Sequence, residues 1–343
     1  MMTESPYSKW RFCVAPMLDW TDTHCRVFHR ALSKRARLYT EMVTAPALQF
    51  GPRERLLKHS EAEHPVACQV GGSDAEQLVK AARMIEAAGF DEINLNCGCP
   101  SERVQKGSFG ACLMLEPKLV ADCYKAIKDA TTLDVTIKHR VGVDGRDDYG
   151  FVRDFVGELF SAGCRVFIVH TRSAWLKGLS PKENREVPPL RREYAGMLKR
   201  DFPEATIVIN GGIHDLGLAE ELLKDVDGVM VGREAYTNPW LLSDVDARLF
   251  GDNEKPVTRE AVIEAMTAYL EGNAEDLRRP RATARHMLGL LNGLAGAKAW
   301  RRFLSNPASY EHFGTNVLRE AYAKAGWRDS TEPDAFRDDD DFF

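Results

Sequence analysis

No apolar run in this 343-residue chain extends beyond about seven positions, well short of the roughly 20 needed to cross a bilayer. A membrane-spanning role is therefore not expected. Eight cysteines are too sparse for a disulfide scaffold, and the start MMTESPYSKWRF has no basic stretch leading into a long apolar run. The expectation is a soluble, cytoplasmic chain with reduced thiols. Its one Cys-x-Cys pair, Cys97 and Cys99, has no second pair at metal-ligand spacing, so no metal is expected. Charge of one sign is also missing from the body. The total of 46 Lys+Arg against 51 Asp+Glu gives -5, but Asp329 to Phe343 alone holds seven acids and one base. Residues 1–328 are left close to neutral. Within them, Asn273 to Arg328 carries ten basic and four acidic residues, a local asymmetry that can face phosphates.

What the chain does have is enough apolar content, 44%, for sizeable cores, and a regular alternation of short β-branched runs with longer amphipathic stretches. Strands are read at Arg11–Met17, Leu38–Val43, Val66–Val70, Glu92–Cys97, Asp134–Arg140, Arg165–Thr171, Thr206–Gly212 and Gly228–Arg233. Helical spacing fills the gaps: Leu78, Ala81, Ala82 and Ile85 repeat at three and four residues before Gly89 stops the helix. Pro117–Ala130, Tyr149–Ala162 and Leu216–Leu223 behave alike. Eight strands apolar on both faces and joined by helical crossovers predict a (β/α)8 TIM barrel. The first βα turn, APMLDW, has no G-x-G-x-x-G, which counts against a doubly wound dinucleotide fold. After Phe250 no strand pattern recurs. Short helices are read from Thr258, at Arg285–Leu294, Lys298–Leu304 and Asn316–Ala325, with Pro280 starting or breaking one. The expected organisation is a barrel over 1–251, a small all-α domain over 252–328 and a disordered acidic tail over 329–343.

Active sites of such barrels lie at the C-terminal strand ends, and here those ends are unusually polar: Glu41, Gln69, Asn94, Asn96, Lys138 with His139 and Arg140, His170 with Arg172, Asn210, and Arg233. Any one could be a satisfied structural group, but strand register gathers them on one rim. Glycines after the last two strands, Asn210-Gly-Gly-Ile213 and Val231-Gly-Arg-Glu234, free backbone N–H groups where barrels often hold a phosphate. Arg233 adds a charge suited to bidentate phosphate binding. The alternative is that the glycines only make tight turns. Cys99 follows a rim strand and precedes Pro100 and the loop Gly107-Ser-Phe-Gly110, an arrangement suited to a catalytic thiol on a mobile lid. A free thiol, with a reference pKa of about 8.5, is mostly protonated at neutral pH and can give up that proton.

The segments APM (15–17), CQVGG (68–72), NLNCGCP (94–100), IKHR (137–140), VHTR (169–172), NGGI (210–213) and VGRE (231–234) together resemble the tRNA-dihydrouridine synthases. The loop WLKGLSPKENREVPPL (175–190) and the stretches RHMLGL (285–290) and AWRRFLS (299–305) are most similar to the A subfamily. The resemblance runs from about Phe12 to Trp327. It implies a flavoenzyme in which FMN, reduced by NADPH with NADH a possible substitute, saturates the C5–C6 bond of tRNA D-loop uridines at positions 20/20a. Carried over residue by residue, Pro16, Met17 and Leu18 would line the isoalloxazine, and Gln69 and Lys138 would bond its polar edge. His170 would lie near the phosphate, held by Asn210, Gly211, Gly212, Gly232 and Arg233. Cys99 would be the proton donor and Asn96 a contact to the uracil or its ribose. Further tRNA contacts are expected from Lys182, Asn184 and Arg185 and from the C-terminal basic residues, chiefly Lys298, Arg301 and Arg302. Trp300 and Phe303 between them read as helix core. No obligate protein partner is indicated. Two other readings stay open here: a different FMN barrel enzyme, such as a dihydroorotate dehydrogenase or an ene-reductase, and a tRNA-binding protein without catalysis.

Overall fold

The computed structural model describes residues 7–101, 104, 107–253, 255–272 and 274–327. The expected acidic tail, 329–343, lies outside them. Nine parallel strands form one sheet: β1 Phe12–Val14, β2 Leu38–Tyr39, β3 Val43–Thr44, β4 Val66–Gly71, β5 Glu92–Cys97, β6 Asp134–Arg140, β7 Val166–His170, β8 Thr206–Asn210 and β9 Gly228–Val231. Neighbours run β1-β9-β8-β7-β6-β5-β4-β2, and β3 also pairs with β4. The sheet closes because β1, at one end of this order, also bonds to the residue leading into β2 at the other: Val14 N–H donates to Arg37 O at 2.9 Å and Arg37 N–H to Phe12 O at 3.0 Å, while Phe12 lies opposite Val229 of β9. This is the (β/α)8 barrel that the strand count predicts.

The second expected strand is split into β2 and β3. Thr40 accounts for the break, because its hydroxyl accepts the Gln69 N–H at 3.1 Å where the ladder would use a carbonyl. The crossover helices Ala75–Ala87, Tyr149–Ser161 and Leu216–Leu222 begin where expected. In each, an aspartate, Asp74, Asp148 or Asp215, accepts an N–H of the first turn.

By contacts the chain divides into two compact units, Met1–Thr21 with Ala36–Gly232, and Asp22–Arg35 with Arg233–Phe343. Composition places the change at 251 instead. The reason lies in the second unit, where helix Thr23–Leu32 is tied to later segments: His24 Nδ1 is 2.9 Å from Tyr269 OH, and Asp22 pairs with Arg285 and the buried His286 at 2.8 and 3.0 Å. The region 285–296 forms turns rather than the expected helix. Gly293 and Gly296 take φ of 77° and 88° there, and only glycine enters that region freely. Helices Arg279–Ala284, Ala297–Ser305, Pro307–Phe313 and Val317–Ala325 complete this unit. No described helix is long and apolar enough to cross a membrane.

Barrel closure rests on one tight passage. A Cβ on Gly228, at the start of β9, would stand 2.0 Å from the Trp10 carbonyl oxygen. The Trp10 indole N–H is held at 2.8 Å by buried Glu92, which keeps this residue from retreating. Gly228→Ala is therefore expected to cost about 3 kcal/mol or more, measured as a fall in the urea midpoint. A midpoint within error of the wild type would contradict this packing.

Candidate active site

Strand parity sorts the barrel interior into two halves. Below the rim residues His170 and Asn210, the inward residues of β1, β7, β8 and β9 are mostly apolar, and Cys13, Ala15, Val166, Ile168, Val208 and Met230 form one buried cluster with Met17 packed against it. On β4, β5 and β6 they are polar: Gln69, Glu92, Asn94, Asn96, Thr136 and Lys138. The register sets Gln69 beside Asn94, Asn94 beside Thr136, and Asn96 beside Lys138. An interior apolar on one side and rich in amides on the other suits a flat, partly polar ring system.

At the C-terminal end the register continues the alignment, Arg140 beside His170 and His170 beside Asn210. Burial pushes the Lys138 ammonium down to about 7, with Arg140 adding to the effect. Burial also holds His170 well below the ordinary imidazole range, helped by the charges of Arg140, Lys138, Arg172 and Arg185. Four cationic side chains thus act on one imidazole. Positive charges crowded at a barrel mouth disfavour one another and become favourable when an anion binds among them.

The turn after β8 gives that anion a seat. Gly211 and Gly212 take φ of 123° and 63°, so their backbone groups face directions that other residues rarely reach. A Cβ on Gly211 would lie 3.0 Å from both His170 and Thr171, and one on Gly212 2.8 Å from Leu190. The Asn210 side chain is committed elsewhere, donating to Met230 O at 2.8 Å. Gly232 follows β9, beside Ala15 and Met17, and Arg233 opens the short helix Arg233–Thr237. Arg192, which sequence reading passes over, donates to Gly212 O at 2.7 Å.

Pro16 and Met17 are half-buried, whereas Leu18 is 65% exposed. The turn that carries them is fixed by Thr21, whose hydroxyl accepts the Met17 N–H at 2.9 Å, and by Glu41, whose carboxylate accepts the Asp19 N–H at 2.6 Å. Glu41 is thereby a support of the mouth.

Cys99 is half-buried, just beyond β5. Asn96 Oδ1 accepts the N–H groups of Gly98 and Cys99 at 3.1 and 3.0 Å, and Cys99 O accepts the Ala111 N–H at 2.9 Å. The Cys99 Sγ is 3.5 Å from Ser101 Oγ. Between Cys99 and the expected lid loop Gly107–Gly110, residues 102, 103, 105 and 106 lie outside the described residues. Buried Arg140 braces the turn from below, donating to Gly98 O at 2.9 Å and to Ser173 O and Asn184 O at 2.9 and 2.8 Å. Cys97 faces the opposite side. It is fully buried, and burial, with Cys123, Cys164 and Cys112 nearby, raises its thiol well above the usual range.

Asn184 departs from expectation. It is fully buried, its amide donating to Trp175 O, Leu179 O and Ser180 O while Oδ1 accepts the Trp175 N–H at 2.7 Å. Its side chain is committed to organising its own loop, while Lys182 and Arg185 are exposed. In helix Ala297–Ser305, Lys298 and Arg302 are exposed one turn apart, Arg301 donates to Asn292 Oδ1 at 2.9 Å, and Trp300 is fully buried with its N–H on Met287 O.

These features define a (β/α)8 barrel whose mouth joins an amide-lined wall to a glycine turn and a group of cations, and comparison with known proteins gives it a family. The family model described as "Dihydrouridine synthase (Dus)" matches residues 13–325. The chain is 55% identical over 295 residues to a tRNA-dihydrouridine(20/20a) synthase of Pseudomonas syringae pv. tomato, covering 86% of this chain and 88% of that protein. It is 52% identical to one of Yersinia pestis, covering 94% and 93%, and 51% identical to one of Escherichia coli O6:H1, covering 92% and 95%. The chain belongs to the dihydrouridine synthase family, flavin oxidoreductases that reduce uridines in tRNA to dihydrouridine.

Proposed function

We propose that the protein reduces uridines 20 and 20a of the tRNA D-loop in the cytoplasm, with FMN as resident flavin and NADPH as its reductant. The observation that carries this reading is the barrel mouth itself: the Gly211–Gly212 turn beside a cluster of cations, an amide-lined wall, and the half-buried thiol of Cys99 on a turn that Asn96 holds by its backbone N–H groups. The residues fit FMN. The glycine turn and Arg233 suit a monophosphate, Gln69 and Lys138 suit the polar edge of the ring, and Pro16 and Met17 suit its apolar face with Leu18 at the side. His170, neutral at pH 7, suits the ribityl or phosphate end. Once reduced, the flavin supplies a hydride to uracil C6.

This chain's own groups do the rest. Cys99 holds the proton delivered to C5, becomes a thiolate, and is reprotonated from solvent. Asn96, already accepting from the Cys99 N–H, still has an amide hydrogen for the base. A stacked uridine cannot reach the mouth, so it must flip, at a cost of a few kcal/mol that binding of the remaining tRNA offsets. Release of the flavin by acid and chromatography checks the cofactor: FMN is expected, and FAD would overturn the assignment.

The pKa of Lys138 gives a second expectation. In the free protein it titrates at about 7, so above that pH it is largely neutral. The ring of oxidised FMN is neutral, but the reduced ring is negative near N1 and, held beside Lys138, would restore its charge. Binding of reduced FMN at pH 8.5 should therefore take up about one proton, and its affinity should fall as pH rises through about 7 and beyond. Calorimetry in buffers of different ionisation enthalpy measures the uptake. Lys138→Met should abolish it, and equal uptake in both proteins would contradict the role.

The helical unit is proposed to contact tRNA through Lys298, Arg301 and Arg302, and Lys182 and Arg185 are proposed contacts of the barrel unit taken by itself. Replacing Lys298 and Arg302 by Glu should weaken tRNA binding about tenfold or more and lower its salt dependence by about one unit of slope per lost phosphate contact. Flavin reduction by NADPH should be unchanged. An unaltered salt slope would place the RNA contacts elsewhere.

A further inference from the structure

Glu92 is the first residue of β5, fully buried at the end of the barrel opposite the proposed chemistry. Four donors saturate its carboxylate. Oε2 accepts from Trp10 Nε1 at 2.8 Å and Arg37 Nη1 at 3.1 Å. Oε1 accepts from Tyr39 OH at 2.8 Å and Thr136 Oγ1 at 2.5 Å. Indole and guanidinium nitrogens can only donate, so the carboxylate has no freedom in what it accepts.

From Thr136 a single file of bonds crosses the polar half of the barrel. The Thr136 hydroxyl has given its hydrogen to Glu92, so its oxygen must accept, and Asn94 Nδ2 donates to it at 2.7 Å. Asn94 Oδ1 then accepts from Gln69 Nε2 at 2.7 Å, and Gln69 Oε1 from Asn96 Nδ2 at 2.8 Å. That leaves Asn96 Oδ1 pointing at the N–H groups of Gly98 and Cys99. Read from the other end, two backbone N–H groups demand an oxygen, and the same order results. Each member can be satisfied in one sense only.

We propose that Glu92 is a positioning residue for Cys99: through Thr136, Asn94, Gln69 and Asn96 it fixes which end of each amide faces the mouth, and so presents an acceptor to the Cys99 turn. Low-dielectric burial makes such a file cooperative, and a reversed member costly. The proposal rests on Cys99 being the group the mouth presents, but its test does not need turnover. Failure of the proton-donor assignment would appear in catalysis by Cys99→Ala, whereas failure of this one appears in thiol chemistry.

Glu92→Gln is the informative change, since it keeps shape and reverses one partner. The new carboxamide must turn its oxygen to Trp10 and Arg37, which cannot accept, and its NH2 to Tyr39 and Thr136. Thr136, accepting from that NH2, has Asn94 as the partner for its own hydrogen, so satisfying it reverses each amide in the file, and the Asn96 NH2 meets two N–H groups at the Cys99 turn. The readout is the alkylation rate of folded protein by iodoacetamide, resolved by peptide mass at Cys99, with half-buried Cys112 as an internal reference.

The rate at Cys99 is expected to rise about fivefold or more, the equivalent of one lost hydrogen bond, with Cys112 unchanged. In a Thr136→Val background, which cuts the file, Glu92→Gln should add less than twofold. Thr136→Val alone, which leaves the file held only from the Cys99 end, should give part of the rise, above twofold, and Thr136→Ser should give none, so the proposal remains testable should Glu92→Gln fail to fold. A Cys99 rate that is unchanged or lower, an equal rise at Cys112, or the same Glu92→Gln effect in both backgrounds would overturn it.

Discussion

Cys99→Ala is expected to bind FMN and accept electrons from NADPH at the wild-type rate, yet to pass them to tRNA about 10²- to 10⁴-fold more slowly, the loss typical of a missing general acid. The split follows from where the thiol stands. It is held by backbone bonds of its turn to Asn96 and Ala111, and its side chain bonds only at the long distance of 3.5 Å to Ser101 among the bonds described, so removing it leaves the flavin-facing wall intact. Cys97→Ala is the matched control. That side chain is fully buried, outside the barrel interior and among three other thiols, where it acts as a small packing group. Single-turnover oxidation of pre-reduced protein by unmodified tRNA separates the two. A Cys99→Ala protein as fast as wild type, or a crippled Cys97→Ala, would contradict the assignment of the acid.

The second large effect concerns the glycine turn. Replacing Gly211 and Gly212 together by Ala should lower FMN affinity more than 100-fold, since left-handed positions cost a substituted residue of order 1–3 kcal/mol each and 1.4 kcal/mol is a tenfold change. The added Cβ atoms would also press on His170, Thr171 and Leu190, shifting the imidazole that the cations surround. The core of β8 ends at Asn210, before the substitutions, so the fold should persist. Fluorescence titration of the apo-protein measures the affinity, and circular dichroism checks the fold. Affinity within threefold of wild type would remove the phosphate from this turn.

Much of this was legible in the chain. Eight β-branched runs in alternation with capped helices lead directly to the barrel, because strand period and helix period are local properties. The rim residues were legible too, since the last inward positions of β4 to β8 are polar. Parity also reaches the far end of the barrel. Along DEINLN and DVTIKHR every second residue is polar, which marks Glu92 and Thr136 as interior, yet both stand far from the strand ends where function is sought. Asn184 misled because its neighbours Lys182 and Arg185 are exposed, and only the folded loop shows its amide turned inward. The unit boundary was not legible, because helix Thr23–Leu32 has the sequence of an ordinary barrel crossover and its allegiance depends on side chains over 200 residues away, such as Tyr269 and His286.

The central claim is that this barrel, with Cys99 as acid, makes dihydrouridine at positions 20 and 20a. It is tested most directly by incubating unmodified tRNA with the FMN-loaded protein and NADPH and mapping dihydrouridine at single-nucleotide resolution. Wild-type protein should place it at 20 and 20a, and Cys99→Ala should leave those positions as uridine over the same interval. Dihydrouridine only at other positions, or an equal yield from Cys99→Ala, would contradict the account.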